Sequence, residues 1–363
     1  MSSACGPSEA RSRRASARGG GAPRAVINAD RSSRNQRESP GQAGFGLVEV
    51  LLSTLIASAL LCVLMRLAVT AQDVTRTQTD AADLQQRLRV ATDAIYSDLV
   101  MAGAGPSDGL WQAGLVSVLA PLVPARTGER GADPELSHYS DRISILYVPE
   151  PSAHTVLRVG MAGADAPLVV DGDAPGCASR DTCGFERGDR ALVLDADGVE
   201  QSYDIFTVSD AQAGLLDHQG ALSKAYVAGS RVVRVVQRVY YLARGAGRLM
   251  VYDGWSSDLP LADHVVDLRF TYYADLGGPV LTALSPGQMT DGPVGGTSPN
   301  RFDRDLLRIR RVRVSLRLET ESSSLRAGGP LFIVPGTSAG GTRLVPDQQI
   351  TFDVAPENLN LSR

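Results

Sequence analysis

Residues 50–65 contain no charged side chain, and Arg66 ends the run. Extended back to Phe45, the apolar stretch covers 21 residues with one acid, Glu49, near its start. As a helix rising ~1.5 Å per residue, it just reaches the ~30 Å hydrocarbon thickness of a bilayer. Beyond Arg66 the pattern changes rather than stops. Val74, Ala81, Leu84, Leu88, Ala91, Ile95 and Leu99 recur at intervals of three, four or seven, which marks one face of an amphipathic helix. Asp80, Asp83, Gln86, Arg87 and Asp93 are expected on the other face. Gly103, Gly105 and Pro106 supply the stop. One helix from about Phe45 to Met101 is predicted, membrane-spanning over 45–66 and amphipathic over 67–102.

From Leu110 onward the signals turn to strands. Short apolar runs at 142–148, 155–159 and 167–170 are bounded by Gly, Pro and Asp. The run 191–194 is continuous, as in a strand buried on both sides, and 195–198 reads as a hairpin turn into 201–208. A long strand is expected over 231–242, followed by a turn at 244–247 and a strand at 249–252. Val266, Leu268, Phe270 and Tyr272 alternate with polar neighbours, as do Val312, Val314, Leu316 and Leu318, so each run buries one face. Ile350, Phe352 and Val354 form a last short strand. Residues 276–300 and 322–329 are rich in Gly, Pro, Ser and Thr, and are expected to be surface loops, the first mobile. No internal repeat is evident. The predicted fold class is α+β: a long N-terminal helix packed on a mainly antiparallel β head spanning 106–363.

Charge divides the chain. Residues 1–44 hold eight arginines against Glu9, Asp30 and Glu38, a balance of +5, among many Ser, Gly and Ala. Such a stretch cannot bury a core, and it reads as a disordered basic leader. Its charge suits the cytoplasmic side of a membrane. A start codon assigned too far upstream of the true one would give the same stretch. The overall balance of −4, less the leader's +5, leaves about −9 for the remaining 319 residues, which argues against a nucleic-acid partner. Those 319 residues suffice for one helix and a large domain or two small ones. Lys224 is the only lysine, so arginine serves as the general cation here and single arginines say little.

Glu49 is the anomaly in the apolar run, because a carboxylate in hydrocarbon costs several kcal/mol and is a functional candidate by default. A secretory signal would place a small-residue cleavage site after the apolar core, and none follows Met65. Here the small residue, Gly44, comes before it. Gly44, the aromatic Phe45 and Glu49 four residues on, opening an apolar helix, resemble the class III signal of type IV pilin-like proteins. That resemblance implies that a prepilin peptidase cuts after Gly44 and methylates the new N-terminal Phe45, and that Glu49 is the family's acidic residue. A positive amine on Phe45 could then pair with Glu49 of a neighbouring subunit, and a paired buried charge is far cheaper than a lone one. Two departures stand out. Arg66 lies where many major pilins carry a proline, and a leader of 44 residues is unusually long.

The head is similar to PilW-type minor pilins of type IV pili in the segments 185–193, 239–242, 261–273 and 312–316. The resemblance implies a minor pilin assembled at low copy, near a pilus tip or initiation complex. Its implied partners are the prepilin peptidase, other major and minor pilins, the inner-membrane assembly platform and the lipid bilayer. The implied location is the inner membrane with a periplasmic head, then the cell-surface pilus, with roles in pilus assembly and cell adhesion. No cofactor and no catalysis are expected. A minor pseudopilin of a type II secretion system has the same helix and processing. A membrane-anchored periplasmic enzyme or binding protein is the alternative from another class.

Remaining chemistry is sparse. Cys5 lies in the leader and Cys62 in the apolar helix, while Cys177 and Cys183 share a polar stretch. In an oxidising periplasm the latter two can form a local disulfide. Zinc is the rival, with only two thiols and no histidine nearby. Asp195, Asp197 and Glu200 crowd three carboxylates into six residues, but calcium wants six to eight oxygens, so they read as solvated acids of a turn and only a weak calcium candidate. Residues 336–340 fit G-x-S-x-G, yet no histidine follows His264 to complete a triad, so the match is put down to chance. Arg187-Gly188-Asp189 is too short a motif to count. Arg308, Arg310, Arg311, Arg313 and Arg317 read as the exposed face of a strand, and the four histidines show no metal spacing.

Overall fold

The structure, a computed structural model, describes residues 46–105, 115–117, 119–150, 153–174, 177, 182–195, 203–291, 303–326, 338–339 and 342–360. Helix α1 (Leu47–Met101) runs for 55 residues without a break. The chain divides into two compact units between Val63 and Leu64.

In the second unit the periodic stripe of α1 behaves as predicted. Leu84, Ala91, Ile95 and Leu99 are fully buried, and Ala81 and Leu88 are half-buried. Asp83, Gln86 and Asp93 are exposed, but Asp80 and Arg87 are not on the far face. They flank the stripe and bond to the head. The Thr320 hydroxyl donates to Asp80 Oδ2 at 3.0 Å, and Arg87 Nη1 donates to the Asp263 carbonyl at 2.9 Å. The Ser322 hydroxyl, with help from Thr320, holds the Asp80 carboxyl below its ordinary range despite partial burial. At the helix end, Gly103 takes φ +75°, and a Cβ there would meet Val116 Cγ1 at 2.9 Å. The chain then leaves by backbone bonds, Gly103 N to Leu146 O and Val148 N to Ala104 O.

The strands are β1 (Leu122–Val123), β2 (Arg142–Tyr147), β3 (His154–Val156), β4 (Leu168–Val169), β5 (Arg190–Leu194), β6 (Tyr203–Gln212), β7 (Leu215–His218), β8 (Arg231–Arg234) and β9 (Val236–Ala243). They continue with β10 (Arg248–Tyr252), β11 (Asp258–Asp263), β12 (Val265–Ala274), β13 (Thr282–Ala283), β14 (Ile309–Leu318), β15 (Ser338–Ala339), β16 (Thr342–Arg343) and β17 (Gln348–Val354). Three main sheets form, ordered β1-β2-β9-β10-β11, β13-β12-β14-β17 and β3-β8-β5-β6-β7-β4, with β15-β16 a separate ribbon. All the strand pairs are antiparallel. The protein is therefore α+β, with one long apolar N-terminal helix and antiparallel sheets.

Two hydrophobic cores share the head. The larger gathers the α1 stripe with β2, β9, β12 and β14, and the smaller surrounds Phe185, Phe206 and Tyr226. Strand β5 lies between them. Leu192 and Leu194 enter the larger core, while Ala191 and Val193 enter the smaller. That is why its sequence is an unbroken apolar run rather than an alternation. On β14, Val312, Val314, Leu316 and Leu318 are all fully buried, and each such side chain contributes ~1.5–3 kcal/mol.

Several expectations need correction. The long strand over 231–242 is two strands in two sheets, broken at buried Val235, whose N–H bonds to the Arg190 carbonyl. On β12 the alternation is offset by a bulge between Val265 and Asp267, so Val265 points in and Val266 is exposed. The segment expected as a free loop from 276 contains β13 and a 3-10 turn at Gly287–Met289, because Leu284 and Met289 are buried and anchor it. Its remainder, 292–300, lies outside the described residues. The strand expected at 155–159 is shorter, with Leu157 pairing singly with Val170. β6 runs on to Gln212 and pairs with β7, which the sequence pattern had not marked.

Candidate functional site

The first unit consists, among the described residues, of Gly46 and the start of α1. An 18-residue window of α1 has a mean hydropathy of 2.4 and none of it is buried. The helix is therefore long and apolar enough to cross a membrane, and the protein fits a single-pass membrane protein. Leu47, Val48, Leu51, Leu55, Leu60 and Met65 are all exposed, so the surface is apolar all round rather than on one stripe. The polar residues within it are satisfied locally. Ser53, Thr54 and Ser58 donate their hydroxyls to the carbonyls of Val50, Leu51 and Leu55 at 2.8–3.0 Å. Such side chains leave no unpaired group to face lipid.

Glu49 sits in the first turn of α1, where the N–H groups of Glu49 and Val50 bond back to Gly46 O at 2.9 and 3.2 Å. An acid there gains ~0.3–1 kcal/mol from the helix dipole. Its carboxylate is exposed and makes no ion pair with a described residue. Gly44 and Phe45 lie outside the described residues. Cys62 is a free, exposed thiol on the same helix.

The Cys177–Cys183 disulfide is present, with the Cα atoms 4.1 Å apart. Cys183 is fully buried in the smaller core and takes φ +52°, so the bridge fastens a left-handed turn beneath Phe185. Both sulfurs are thus committed to each other, and no zinc set is built on them.

The acids expected to be solvated at the β5–β6 turn are only partly so. The Asp195 carboxylate has a 15%-exposed side chain and pairs with Lys224, whose ammonium also lies 5.4 Å from the Tyr226 ring centroid. Asp197 and Glu200 lie outside the described residues. A different carboxylate group forms instead from Asp291, Asp303 and Asp305, whose oxygens lie within 4.8 Å of one another. Sequence spacing gave no sign of it, because eleven residues separate the first member from the second. Asp303 caps the 3-10 turn Arg304–Arg308 by accepting from Asp305 N at 2.8 Å, and Asp305 pairs with Arg308 at 3.3 Å. Cap and ion pair account for two of the three acids, and proximity alone does not make a metal centre.

No family model, curated protein or solved structure matches the chain.

The other motifs resolve into structure. Ser338 of G-x-S-x-G lies in the short strand β15 paired with β16, not on a strand-to-helix elbow. Arg187-Gly188-Asp189 forms the turn before β5, where Asp189 Oδ2 accepts from Glu186 N at 2.9 Å. The arginines of β14 are half-buried rather than an exposed face, and three of them pair with carboxylates of the neighbouring chain segment. Arg313 makes two bonds of 2.7 and 2.9 Å to Asp353, Arg311 approaches the same carboxylate at 3.8 Å, and Arg317 pairs with Asp347 at 2.6 Å.

Proposed function

We propose that the chain is the precursor of a minor pilin, cut after Gly44, methylated on Phe45 and recruited at low copy into a type IV pilus. The observation that carries this reading is the junction inside α1. A wholly exposed apolar segment with Glu49 in its first turn continues, without a break, into a stripe that docks on antiparallel sheets. An anchor needs only the apolar length. In hydrocarbon the acid at the segment's start costs an anchor several kcal/mol, more than the helix dipole returns, and it becomes a net gain where a cation meets it. The amine of a processed Phe45 on an adjacent subunit supplies such a cation. In this reading the head faces the periplasm, where Cys177 and Cys183 would oxidise, and the partners are the prepilin peptidase, other pilins and the inner-membrane assembly platform.

The mature N-terminus tests it. Mass spectrometry of the membrane-bound protein is expected to find N-methylated Phe45 as the first residue. An intact leader, or an N-terminus after the apolar run near Leu67, would sink the proposal.

A further inference from the structure

Beyond β1, residues 125–130 lie over the face of the five-stranded sheet that carries Ser144, Gln237, Tyr241 and Tyr252. The segment is pinned there. Thr127 N donates to Ser144 Oγ at 3.0 Å, Gln237 Nε2 donates to Thr127 Oγ1 at 2.8 Å, and Glu129 N donates to Gly254 O at 3.1 Å. The Arg126 guanidinium stacks between the rings of Tyr241 and Tyr252, 4.4 and 4.6 Å from their centroids. Gly128 takes φ +123°, and a Cβ on it would meet the Gly254 carbonyl and the Tyr252 ring at 2.7 Å. Only glycine permits this approach.

Behind the pinned segment lies a cavity of about 370 Å³, bounded also by β2, β5, β6 and β9 and by the turns at Gly287–Met289 and Arg304–Arg308. Its volume falls within the ~300–1,000 Å³ usual for ligand sites. Leu136 on its wall holds φ +56°, a left-handed conformation that costs a non-glycine residue energy and recurs at functional sites.

Arg190 dominates the polar wall. Its side chain is only 10% exposed. Nη1 donates to Glu129 Oε1 and to Thr207 Oγ1, both at 2.9 Å, while Nη2 reaches Gln237 Oε1 only at 3.5 Å. Nε, buried, makes no hydrogen bond to a described residue. A buried guanidinium with donors to spare calls for an acceptor. Yet every other charged side chain among the described lining residues is a carboxylate, namely Glu129, Asp133, Glu135 and Asp303. An anionic ligand would be repelled by them, and a pure hydrocarbon would strand Arg190. The lining also carries apolar side chains, Ile145, Ile205, Met289 and Leu306, and the register of β5 on β6 puts Ile205 on the same sheet face as Arg190. The ligand must therefore be neutral, offer both acceptors and N–H or O–H donors, and carry an apolar group.

A peptide backbone with an aliphatic side chain meets all of these conditions. We propose that this cavity takes a short, neutral, apolar segment of a partner polypeptide, with a backbone carbonyl on Arg190 and its side chain against Ile145, Ile205 and Leu306. The ligand chemistry follows from the cavity alone, whatever the chain assembles with. The full-length protein in nanodiscs can be titrated calorimetrically with N-acetyl-Leu-Leu-methylamide, with octanoate and with glucose. Saturable binding is expected for the peptide amide alone. Arg190→Gln should weaken it by about tenfold or more, equivalent to ~1.4 kcal/mol. Glu129→Gln, which releases the guanidinium from its ion pair without removing it, should leave the peptide affinity equal or higher. That second variant keeps the test alive should Arg190→Gln fold poorly. Octanoate or glucose binding more tightly than the peptide amide would overturn the proposal. So would no saturable binding of the amide at tens of millimolar, a folded Arg190→Gln protein that binds it unchanged, or a loss of affinity in Glu129→Gln.

Discussion

Asp98 is the polar pin between α1 and the five-stranded sheet, and replacing it tests how the helix is held. Its Oδ2 accepts from the Tyr240 hydroxyl at 2.6 Å and its Oδ1 from the Tyr147 hydroxyl at 2.9 Å. Tyr240 is 2% exposed, so its hydroxyl has no route to water if Asp98 is lost, whereas half-buried Tyr147 can turn outward. A bond to a charged acceptor is worth ~1.5–3 kcal/mol, and a stranded buried hydroxyl costs ~1–3 kcal/mol. Asp98→Ala should therefore destabilise the head by about 2–4 kcal/mol. Asp98→Asn keeps one carbonyl acceptor and should cost about half as much. Tyr240→Phe removes the hydroxyl that would be stranded, so the double variant should fall short of additivity by ~1 kcal/mol or more. Urea unfolding of the full-length chain in detergent, followed by near-UV circular dichroism, measures each corner of this cycle. A loss below ~0.5 kcal/mol for Asp98→Ala, or strict additivity, would refute the pin.

Other perturbations probe other parts. Replacing Cys177 and Cys183 together by Ser opens a short loop worth ~2 kcal/mol by chain entropy, so the head should unfold at lower urea but still fold, and free thiols at both positions in the protein purified without reductant would contradict the bridge. Burial, aided for Tyr240 by the Asp98 charge, raises Tyr240 and Tyr272 above the ordinary tyrosine value of 10.0. The folded state then keeps protons that the unfolded state has released, so the contribution of these two groups should be constant below about pH 10, and stability should fall above it by up to ~1.4 kcal/mol per pH unit for each group, a slope that Tyr240→Phe should reduce. If the proposed function holds, Glu49→Gln keeps the shape and removes the charge, so processing, insertion and head folding should survive while the protein disappears from sheared filaments. Normal incorporation of that variant would refute charge pairing.

Periodicity made the helix legible. Leu84, Ala91, Ile95 and Leu99 are the buried stripe that their spacing predicted, because one helix face meets one core. The run at β5 was legible for a different reason, since a strand with a core on each side has no polar face to show. What escaped was set by tertiary contacts. Residues 231–242 are rich in Val, Tyr and Leu with no Gly, Pro, Asn or Asp to mark a break, so nothing local shows that the chain changes sheets at Val235. The Val265 bulge reverses which valine is buried, and a period of two cannot reveal an inserted residue. The cavity is the extreme case. Arg190 and Glu129 are 61 residues apart, and Gln237 is 47 further on, so only the fold brings them together.

The apolar start of α1 poses the last question, which is what covers it. Burying a Leu or Val side chain is worth ~1.5–3 kcal/mol, and the segment exposes Leu47, Val48, Leu51, Leu55, Leu60 and Leu64 among others, so leaving it in water forfeits tens of kcal/mol. Lipid and a bundle of like helices recover that energy almost equally, since both offer hydrocarbon. Glu49 does not treat them alike. In lipid its charge is an uncompensated cost, while beside a neighbouring N-terminal amine it is paired. The aliphatic residues thus favour the segment leaving water, and under the proposed function the one acid would bias it from the bilayer toward an assembly. A helix needing only an anchor would forfeit no more than the helix-dipole gain of ~0.3–1 kcal/mol by having valine at position 49, less than the charge costs in hydrocarbon, which is why the proposed function turns on that side chain rather than on the length of the apolar run.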